Sequence, residues 1–280
     1  MHISVCLALI HNNNITRNAY IRPQIEKLLK GLESHISGNK IEVSFQPEIV
    51  LHSVPMAFMR DIIYRKLGCE WHRYRQLKSR RLRDIIGFLK SSYFKYIVGR
   101  NEICKQWRKN SAIEMMVTEK HIRAWGAFLD TDADFLICFE DDAIFKDDSV
   151  HKVNSLLNTL AEDYSKMPCY IDLGGGCSFS ELMIDNLQEK QDETYRYYSK
   201  PVTNTACAYL MSRSLVITFH ELLTRKPWLR LIGIDWMMNS LFISMEKEGR
   251  KCICMHAFPS IFKHGSTTGD YVSWQANTPQ

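Results

Sequence analysis

The sequence predicts an α/β protein in which helices cover both faces of a mostly parallel central sheet, giving three layers. Short apolar runs of strand length alternate along the chain with amphipathic stretches of helical length, and this order is typical of parallel sheets. The 280 residues, 45% of them hydrophobic, suffice for one large domain. We therefore expect a single domain over residues 1–280, and no apolar stretch approaches the roughly 20 residues that span a bilayer.

The first elements are a strand, a helix and a second strand. Residues 2–10 are predicted to form a strand and not a signal peptide, because no Lys or Arg leader precedes them and His11-Asn-Asn-Asn14 follows. Residues 19–34 are predicted to form a helix with one apolar face. That face consists of Ile21, Ile25, Leu28, Leu29 and Leu32. Residues 41–51 alternate loosely and predict the second strand.

A basic helical insertion is predicted at about 56–110, beside the sheet. Between Arg60 and Lys109 there are 15 Lys and Arg residues and 4 Asp and Glu residues, within a chain of net charge +5. The aromatic residues of this segment lie among its positive charges. Such a segment suits an anionic membrane surface, a nucleic acid or a phosphorylated acceptor. A solvated helical face explains the same composition.

The second half of the chain continues the alternation. Predicted helices and strands follow in this order: helix 112–129, strand 135–139, helix 149–163, strand 169–173, strand 206–211, helix 213–224, helix 235–247 and strand 252–256. Asp148 or Ser149 is the expected cap of the helix at 149–163. Three glycines, Gly174 to Gly176, close the strand at 169–173.

Nine cysteines, an odd number without recurring spacing, do not predict a disulfide framework. Cys6, Cys138, Cys169 and Cys207 lie in apolar segments and are interpreted as reduced, structural thiols. We therefore expect a cytoplasmic protein. Cys252, Cys254 and His256 lie on one alternating strand, which by itself cannot complete a tetrahedral zinc site.

The acidic triplet Glu140-Asp141-Asp142 directly follows the strand 135–139. It therefore lies at the carboxyl end of the strand, where open α/β sheets bind ligands, and carboxylates there can hold a hard divalent cation. Asp142 is the leading predicted ligand and Asp141 the second. The earlier cluster Asp130-x-Asp132-x-Asp134 precedes the strand and is interpreted as a solvated turn. A solvated acidic loop remains the alternative for the triplet as well.

Three ordered segments resemble glycosyltransferase family 25, the enzymes of bacterial lipooligosaccharide synthesis and their collagen galactosyltransferase relatives. They are Lys120-His-Ile-Arg-Ala-Trp-Gly-Ala-Phe with Phe135 to Phe145, Thr205-Ala-Cys-Ala-Tyr-Leu-Met-Ser-Arg213, and Ile234-Asp-Trp236. The resemblance covers about 110–265. Lys120 replaces the Ser usual in that family, and the basic segment at 60–110 departs from its pattern. Arg17 and Arg22 are the candidates for the family's N-terminal arginines.

The resemblance implies a GT-A-like fold and a metal-dependent, inverting transferase that uses Mn²⁺ or Mg²⁺ and a nucleotide-sugar donor. The acceptor would be a bacterial surface glycan or glycolipid. Asp235 would be the catalytic base, and His264 would complete the metal site of Asp141 and Asp142. His121 would contact the donor, because it matches the family's helix.

Residues after the strand at 169–173 are predicted to line the substrate. Asp172 ends that strand, and the flexible loop at Gly174 and Gly175 would let a substrate approach the backbone closely. Structural alternatives stay open at this point: Asp235 as a helix cap, His264 as a surface histidine, His121 as a core histidine and the 174–176 loop as an ordinary turn.

Two other functions compete with sugar transfer. The basic segment could make the chain a nucleic-acid-binding protein, and the acidic triplet could serve a metal-dependent phosphoesterase. We rank the phosphoesterase lower because no second His and Asp cluster has two-metal spacing. The favoured hypothesis is a cytoplasmic transferase with no nucleic-acid partner. Its residues 60–109 would hold it near the inner face of the cell membrane or bind an anionic acceptor.

Overall fold

The computed structural model describes residues 2–44, 102–163, 167–175, 189–198, 200–203 and 206–272, together with residues 86, 90 and 93. The strands are β1 (Ile3–His11), β2 (Ile36–Ser44), β3 (Phe135–Glu140), β4 (Ala143–Phe145), β5 (Cys169–Asp172), β6 (Glu189–Gln191), β7 (Tyr195–Tyr198), β8 (Ala208–Ser212), β9 (Ile253–Ala257) and β10 (Phe262–His264). The helices are α1 (Ile15–Lys30), α2 (Glu102–Leu129), α3 (Ser149–Asp163), α4 (Arg213–Arg225), a 3₁₀-helix (Pro227–Leu231), α5 (Ile234–Lys247) and α6 (Gly265–Thr268).

Within the described ranges, eight strands form one sheet in the order β2-β1-β3-β8-β5-β9-β7-β6. Strand β1 pairs in parallel with β2 and β3, and β5 pairs in parallel with β9. The reversed strands are β8, which is antiparallel to β3 and β5, and β7, which is antiparallel to β9 and β6. Six of these eight strands therefore run in one direction, and the predicted α/β class with a mostly parallel sheet is confirmed. A separate two-stranded sheet joins β4 and β10 antiparallel.

Helices pack on both faces of the sheet because its strands are apolar on both sides. Along β1, Cys6, Ala8 and Ile10 belong to the core under α2, α4 and α5. Val5, Leu7 and Leu9 point the other way, into the core under α1 and α3. Burial of one such side chain contributes about 1.5–3 kcal/mol. These two cores hold the carboxyl ends of the strands at one edge of the sheet.

Two of the predicted elements are displaced along the chain. Helix α1 begins at Ile15, four residues before the prediction, because the side chain of Asn14 accepts a hydrogen bond from the Arg17 N–H at 3.0 Å and caps the helix there. Strand β2 begins at Ile36 and not at residue 41, since its whole length pairs in register with β1. Residues 45–51 of that predicted strand lie outside the described residues.

The helix predicted at 112–129 is the second part of the longer helix α2. Its first residues, 102–110, were assigned to the basic insertion, so that boundary was wrong. Nearly all of the remaining insertion lies outside the described residues. Among the helices that the structure describes, none combines the length and the apolar character needed to cross a bilayer.

Candidate active site

Parallel strands bring several polar side chains to one edge of the sheet. Strand β1 ends at His11, β3 at Glu140 and β5 at Asp172. The reversed strand β8 begins at the same edge, where the backbone N–H of Glu140 donates to the carbonyl of Cys207 at 2.8 Å. Asp130, Asp132 and Asp134 lie at the opposite edge with exposed side chains. The predicted placement of the two acidic clusters at opposite edges of the sheet is therefore confirmed.

Asp141 is engaged by protein groups on both of its carboxylate oxygens. Oδ1 lies 2.9 Å from Nη1 of Arg17, and Oδ2 accepts a hydrogen bond from the backbone N–H of Asn12 at 3.2 Å. The same guanidinium donates to the carbonyl of Val272 and lies over the Tyr271 ring. Asp141 therefore holds the Arg17 side chain at this edge of the sheet.

Asp142 and His264 form a pair in which the carboxylate is buried and the imidazole is partly exposed. The carboxylate Oδ2 of Asp142 lies 3.2 Å from Nε2 of His264, and Asp142 itself is only 5% exposed. The other oxygen, Oδ1, is buried and has no hydrogen-bonding partner among the residues that the structure describes. A buried carboxylate oxygen without a donor is costly in a protein interior. This oxygen is therefore available to a bound cation.

Cys207 completes a cluster with Asp142 and His264. One ligand atom from each of these three residues lies within 4.8 Å of the other two. Cys207 is 1% exposed, and burial followed by the charge of Asp142 raises the pKa of its thiol well above the ordinary value. Sequence reasoning assigned Cys207 to the core alone. Cys207 directly precedes β8, and it reaches this edge because that strand is reversed, which the sequence does not show.

The charges of Asp142 and His264 stabilise each other. Burial alone would raise the pKa of Asp142, but the hydrogen bond and the charge of His264, with Ser266 and Arg17, hold it below its ordinary value. Burial alone would lower the pKa of His264, but Asp142 raises it. The two shifts therefore favour a carboxylate next to an imidazolium.

Asp235 lies in the first turn of α5, after the backbone of Gly233. Its Oδ1 is buried and has no hydrogen-bonding partner within the described part of the chain. Burial raises the pKa of Asp235 well above the ordinary value, and the charges of Glu140 and Asp172 raise it further. His264 acts in the opposite direction. Burial and the neighbouring negative charges therefore favour the protonated form of the Asp235 carboxyl group.

Asp172 is held by the loop that follows it. Its Oδ1 accepts the backbone N–H of Gly175 at 2.9 Å, and its Oδ2 lies 3.7 Å from Nδ1 of His256. Gly175 has φ +59°, a conformation that side chains other than glycine rarely adopt. A Cβ on Gly174 would lie 3.3 Å from the backbone nitrogen of Ala208. These glycines therefore close a tight turn against β8, and a contact between them and a substrate stays a prediction.

His256 is a buried cation next to Asp172. Burial alone would lower its pKa, but the Asp172 carboxylate and the Cys254 thiol raise the pKa of His256 to about 10. Its Nε2 lies 3.0 Å from the carbonyl of Val202. Sequence reasoning considered His256 only as a zinc ligand. Its place on β9, next to the end of β5, makes it the partner that holds Asp172.

His121 is fully buried and both of its ring nitrogens are engaged. Nε2 lies 3.0 Å from Oε1 of Glu140, and Nδ1 lies 2.8 Å from the hydroxyl of Tyr209. The indole N–H of Trp125 donates to the same hydroxyl at 2.9 Å. The predicted contact between His121 and the donor is not provided by this geometry, because no atom of His121 is exposed. His121 instead positions Glu140 at the edge of the sheet.

Lys120 is a second residue that sequence reasoning missed. Its ammonium group is buried, donates to the His11 carbonyl at 2.7 Å and also to the side-chain oxygen of Asn12. Burial lowers its pKa to about 8, against the opposing charges of Asp141 and Glu140. It therefore fixes the loop after β1 that supports Asp141. A polar residue on the apolar side of α2 was the available signal.

The structure thus brings Asp142, His264, Asp172 and Asp235 to one edge of the sheet, with Asp141 beside them but paired to Arg17. The burial and the opposing charges of these groups are typical of sites that bind cations and move protons. No family model and no curated protein matches this chain.

Proposed function

We propose that this protein is a glycosyltransferase that uses a divalent cation to move a sugar from a nucleotide-sugar donor to a bacterial surface glycan. The single observation that carries the proposal is the Asp142 and His264 pair with its unpartnered carboxylate oxygen. The resemblance of the surrounding segments to glycosyltransferase family 25 supplies the type of reaction. We also propose that the fold is GT-A-like.

Asp142 and His264 fit the proposed ion. A carboxylate oxygen without a hydrogen-bond donor and a neighbouring imidazole are groups that Mn²⁺ accepts, and Mg²⁺ is commonly held by one or two carboxylates. These two residues would hold the ion. Bound there, it would stabilise the negative charge that develops on the departing nucleotide. Asp141 would contribute through Arg17, which it anchors, and not as the main ligand.

Arg17 is the proposed contact for the donor phosphates. Its guanidinium is partly exposed, lies in the first turn of α1 and is held between Asp141 and the Val272 carbonyl. A planar guanidinium binds phosphate oxygens in pairs, and the positive end of the helix adds to the attraction. Arg17 would therefore bind and orient the donor in the position where Asp142 and His264 face it.

Asp235 is the proposed base for an inverting reaction. Such a reaction needs a carboxylate that accepts the proton of the acceptor hydroxyl as that oxygen attacks the sugar. The raised pKa of Asp235 suits this role, because a carboxylate with a higher pKa holds the transferred proton more tightly. Glu140 and Asp172 would set that pKa through their charges.

The strand order supports the GT-A-like assignment. The acidic triplet begins with the last residue of β3, a strand parallel to β1 whose other neighbour, β8, is reversed. Strand β4, directly after the triplet, pairs with β10. The first residues of β8 and the last residue of β10 thereby reach the same edge as the triplet. A donor bound at this edge would have its phosphates next to the acidic triplet.

The test is a thermal-shift screen of nucleotide sugars with and without Mn²⁺. Ligands that bind the folded state raise the melting temperature, and a ligand at 100 times its Kd adds about 2.7 kcal/mol. We expect one class of nucleotide sugar to stabilise the protein only when Mn²⁺ is present. Asp142→Asn should lose this response, whereas Asp132→Asn at the opposite edge should keep it.

Two results would contradict the proposal. Stabilisation by no nucleotide sugar would remove the donor, and hydrolysis of phosphodiesters without sugar transfer would favour a phosphoesterase instead. The nucleic-acid hypothesis depends on residues 60–109, most of which lie outside the described residues.

A further inference from the structure

We propose that Cys207 is the third protein ligand of the metal centre, and that the centre therefore prefers ions that accept a thiolate, Zn²⁺ and Co²⁺, over Mg²⁺. The inference rests on the metal site of the proposed function but not on the transfer reaction. It follows from the Asp142, Cys207 and His264 cluster, whose ligand atoms all lie within 4.8 Å of one another.

Each of the three residues is fixed by a different part of the backbone. Cys207 directly precedes β8, and its carbonyl accepts the Glu140 N–H at 2.8 Å, so it stays beside the acidic triplet. His264 ends β10, where it pairs with Ala143. Asp142 lies directly before Ala143 and its carbonyl accepts the Gly265 N–H at 2.9 Å. The cluster is thus built from three rigid connections and not from flexible surface side chains.

His264 and Asp142 each make a further hydrogen bond of the kind that metal-binding residues make. Nδ1 of His264 lies 2.7 Å from the hydroxyl of Thr267. In the tautomer in which Nδ1–H donates a hydrogen bond to this hydroxyl, the lone pair of Nε2 is directed at the cluster and can bind a metal ion. The Ser266 hydroxyl donates to Oδ2 of Asp142. These contacts fix the orientation of the imidazole and of the carboxylate, while Oδ1 of Asp142 keeps no partner among the described residues.

A thiol in the ligand set decides which ions bind well. Mg²⁺ takes oxygen ligands, whereas Zn²⁺ is held by Cys, His and carboxylate groups and commonly has three protein ligands with one position left open. Zn²⁺ and Co²⁺ also exceed Mn²⁺ in general affinity for nitrogen and sulfur ligands. On binding, a metal–sulfur bond replaces the S–H bond of Cys207 and the proton leaves to solvent, with no change of oxidation state.

The test uses the full chain after treatment with a chelator, and Co²⁺ as the probe. A thiolate bound to Co²⁺ gives a charge-transfer band in the near ultraviolet that oxygen and nitrogen ligands alone do not give. We expect the band to reach its maximum at one equivalent of Co²⁺ and to disappear when Zn²⁺ is added. Competition with a chromophoric chelator should give a Zn²⁺ affinity about tenfold or more above the Mn²⁺ affinity.

Variants identify the thiolate. Cys207→Ser should abolish the band and weaken Zn²⁺ binding by about tenfold or more, with a smaller effect on Mn²⁺. Cys252→Ser is the matched control, because Cys252 lies near Cys254 and His256, the other group of candidate ligands, and it should leave the band unchanged. His264→Gln provides a second test that does not change a cysteine, and it should also remove the band.

The outcomes separate this inference from the proposed function. If wild-type protein binds Co²⁺ without the band, or if the band survives in Cys207→Ser, Cys207 is not a ligand, but an Asp142 and His264 site remains. If the band survives in His264→Gln with unchanged Co²⁺ affinity, the thiolate belongs to a site other than the Asp142, Cys207 and His264 cluster, and the inference is overturned. If the wild-type protein binds no Co²⁺, Zn²⁺ or Mn²⁺, both the inference and the metal requirement of the proposed function are overturned.

Discussion

His264 lies directly across a two-stranded sheet from Ala143, and this pairing brings its Nε2 to 3.2 Å from the carboxylate of Asp142. The small sheet of β4 and β10 is therefore the scaffold of the candidate metal centre. The main sheet supplies the acidic residues, and the small sheet supplies the histidine. Their relative position is set by backbone hydrogen bonds, which hold more firmly than loop contacts.

Asp142→Asn should remove the response to the metal and lower kcat/KM by more than about 100-fold, since even groups that only orient a ligand contribute about 10–100-fold. Asn keeps the size of the side chain but lacks the negative charge. Mn²⁺ titration followed by steady-state kinetics measures both effects. Asp132→Asn, at the opposite edge, should match the wild type, and near-normal turnover of Asp142→Asn would contradict the metal assignment.

Gly265→Ala should weaken Mn²⁺ binding without removing a ligand. The added Cβ would lie 2.5 Å from Cδ2 of Tyr271 and 2.9 Å from the Asp142 carbonyl, so the ring or the backbone of the site has to move. Gly126→Ala in α2 is the control, because its nearest neighbour would be 3.9 Å away, and it should stabilise the helix by roughly 0.5–1 kcal/mol. Calorimetric Mn²⁺ titration of both variants decides the matter; equal affinities would show that the Gly265 packing does not support the site.

The pH profile of kcat should have an acidic limb, in which kcat falls as Asp235 becomes protonated, and this limb should lie at an unusually high pH. Its carboxyl group accepts a proton only when ionised, and burial with the charges of Glu140 and Asp172 raises its pKa. Activity should therefore rise with pH through that raised pKa. Glu140→Gln removes one of the charges while keeping the shape of the side chain, so the limb should move to lower pH. A kcat profile that keeps its limb unmoved in Glu140→Gln would exclude Asp235 as its origin.

His256→Gln should lower the free energy of unfolding by about 3–5 kcal/mol, because it leaves the buried Asp172 carboxylate without its cation. The folded pKa of His256, about 10, is higher than the unfolded value of about 6.5. The stability that this proton contributes is therefore complete below about pH 6.5 and is lost as the pH rises to about 10. Urea unfolding at several pH values measures it.

The control for His256→Gln is Arg250→Gln. Arg250 pairs with Glu221 and Glu248 on the surface, so its loss should cost less than about 1 kcal/mol. If both variants lose equal stability, or if the loss in His256→Gln does not shrink between pH 7 and pH 10, the ion pair of His256 and Asp172 does not contribute as described.

Charge reversal at Arg80, Arg81 and Arg83 should weaken binding to anionic vesicles by about 3 kcal/mol or more, since each basic residue near a membrane contributes about 1 kcal/mol. Vesicle sedimentation measures the partition. The matched control reverses three exposed residues outside the segment, Lys27, Lys30 and Lys247, and makes the same change in net charge. Equal weakening by both triple variants would identify net charge, and not this segment, as the cause.

The sequence predicted the long elements because their apolar periodicity is strong. The strand at 135–139 and the helix at 149–163 lie where expected, and Asp142 and His264 were assigned to the same site. Short elements were missed, since β4, β6 and β10 have three residues each and show no periodicity. His264 was expected in a loop for this reason.

The contacts of the site could not be predicted in the same way. The engagement of Asp141 by Arg17, and of His121 by Glu140 and Tyr209, depends on distances between elements that a single sequence does not contain. Contacts of this kind decide whether an acidic or histidine side chain is exposed to a ligand or is already paired within the fold.

The reversal of β8 has a consequence for how substitutions along this chain act. In the neighbouring strands β3 and β5 the last residues reach the edge of the candidate site, whereas in β8 the first ones do and Ser212 lies at the far side. A substitution at the beginning of β8 thus lies next to the candidate site, and a substitution a few positions later lies in the core far from it. In β3 and β5 the residues close to the candidate site come at the end of the strand, whereas in β8 they come at its beginning.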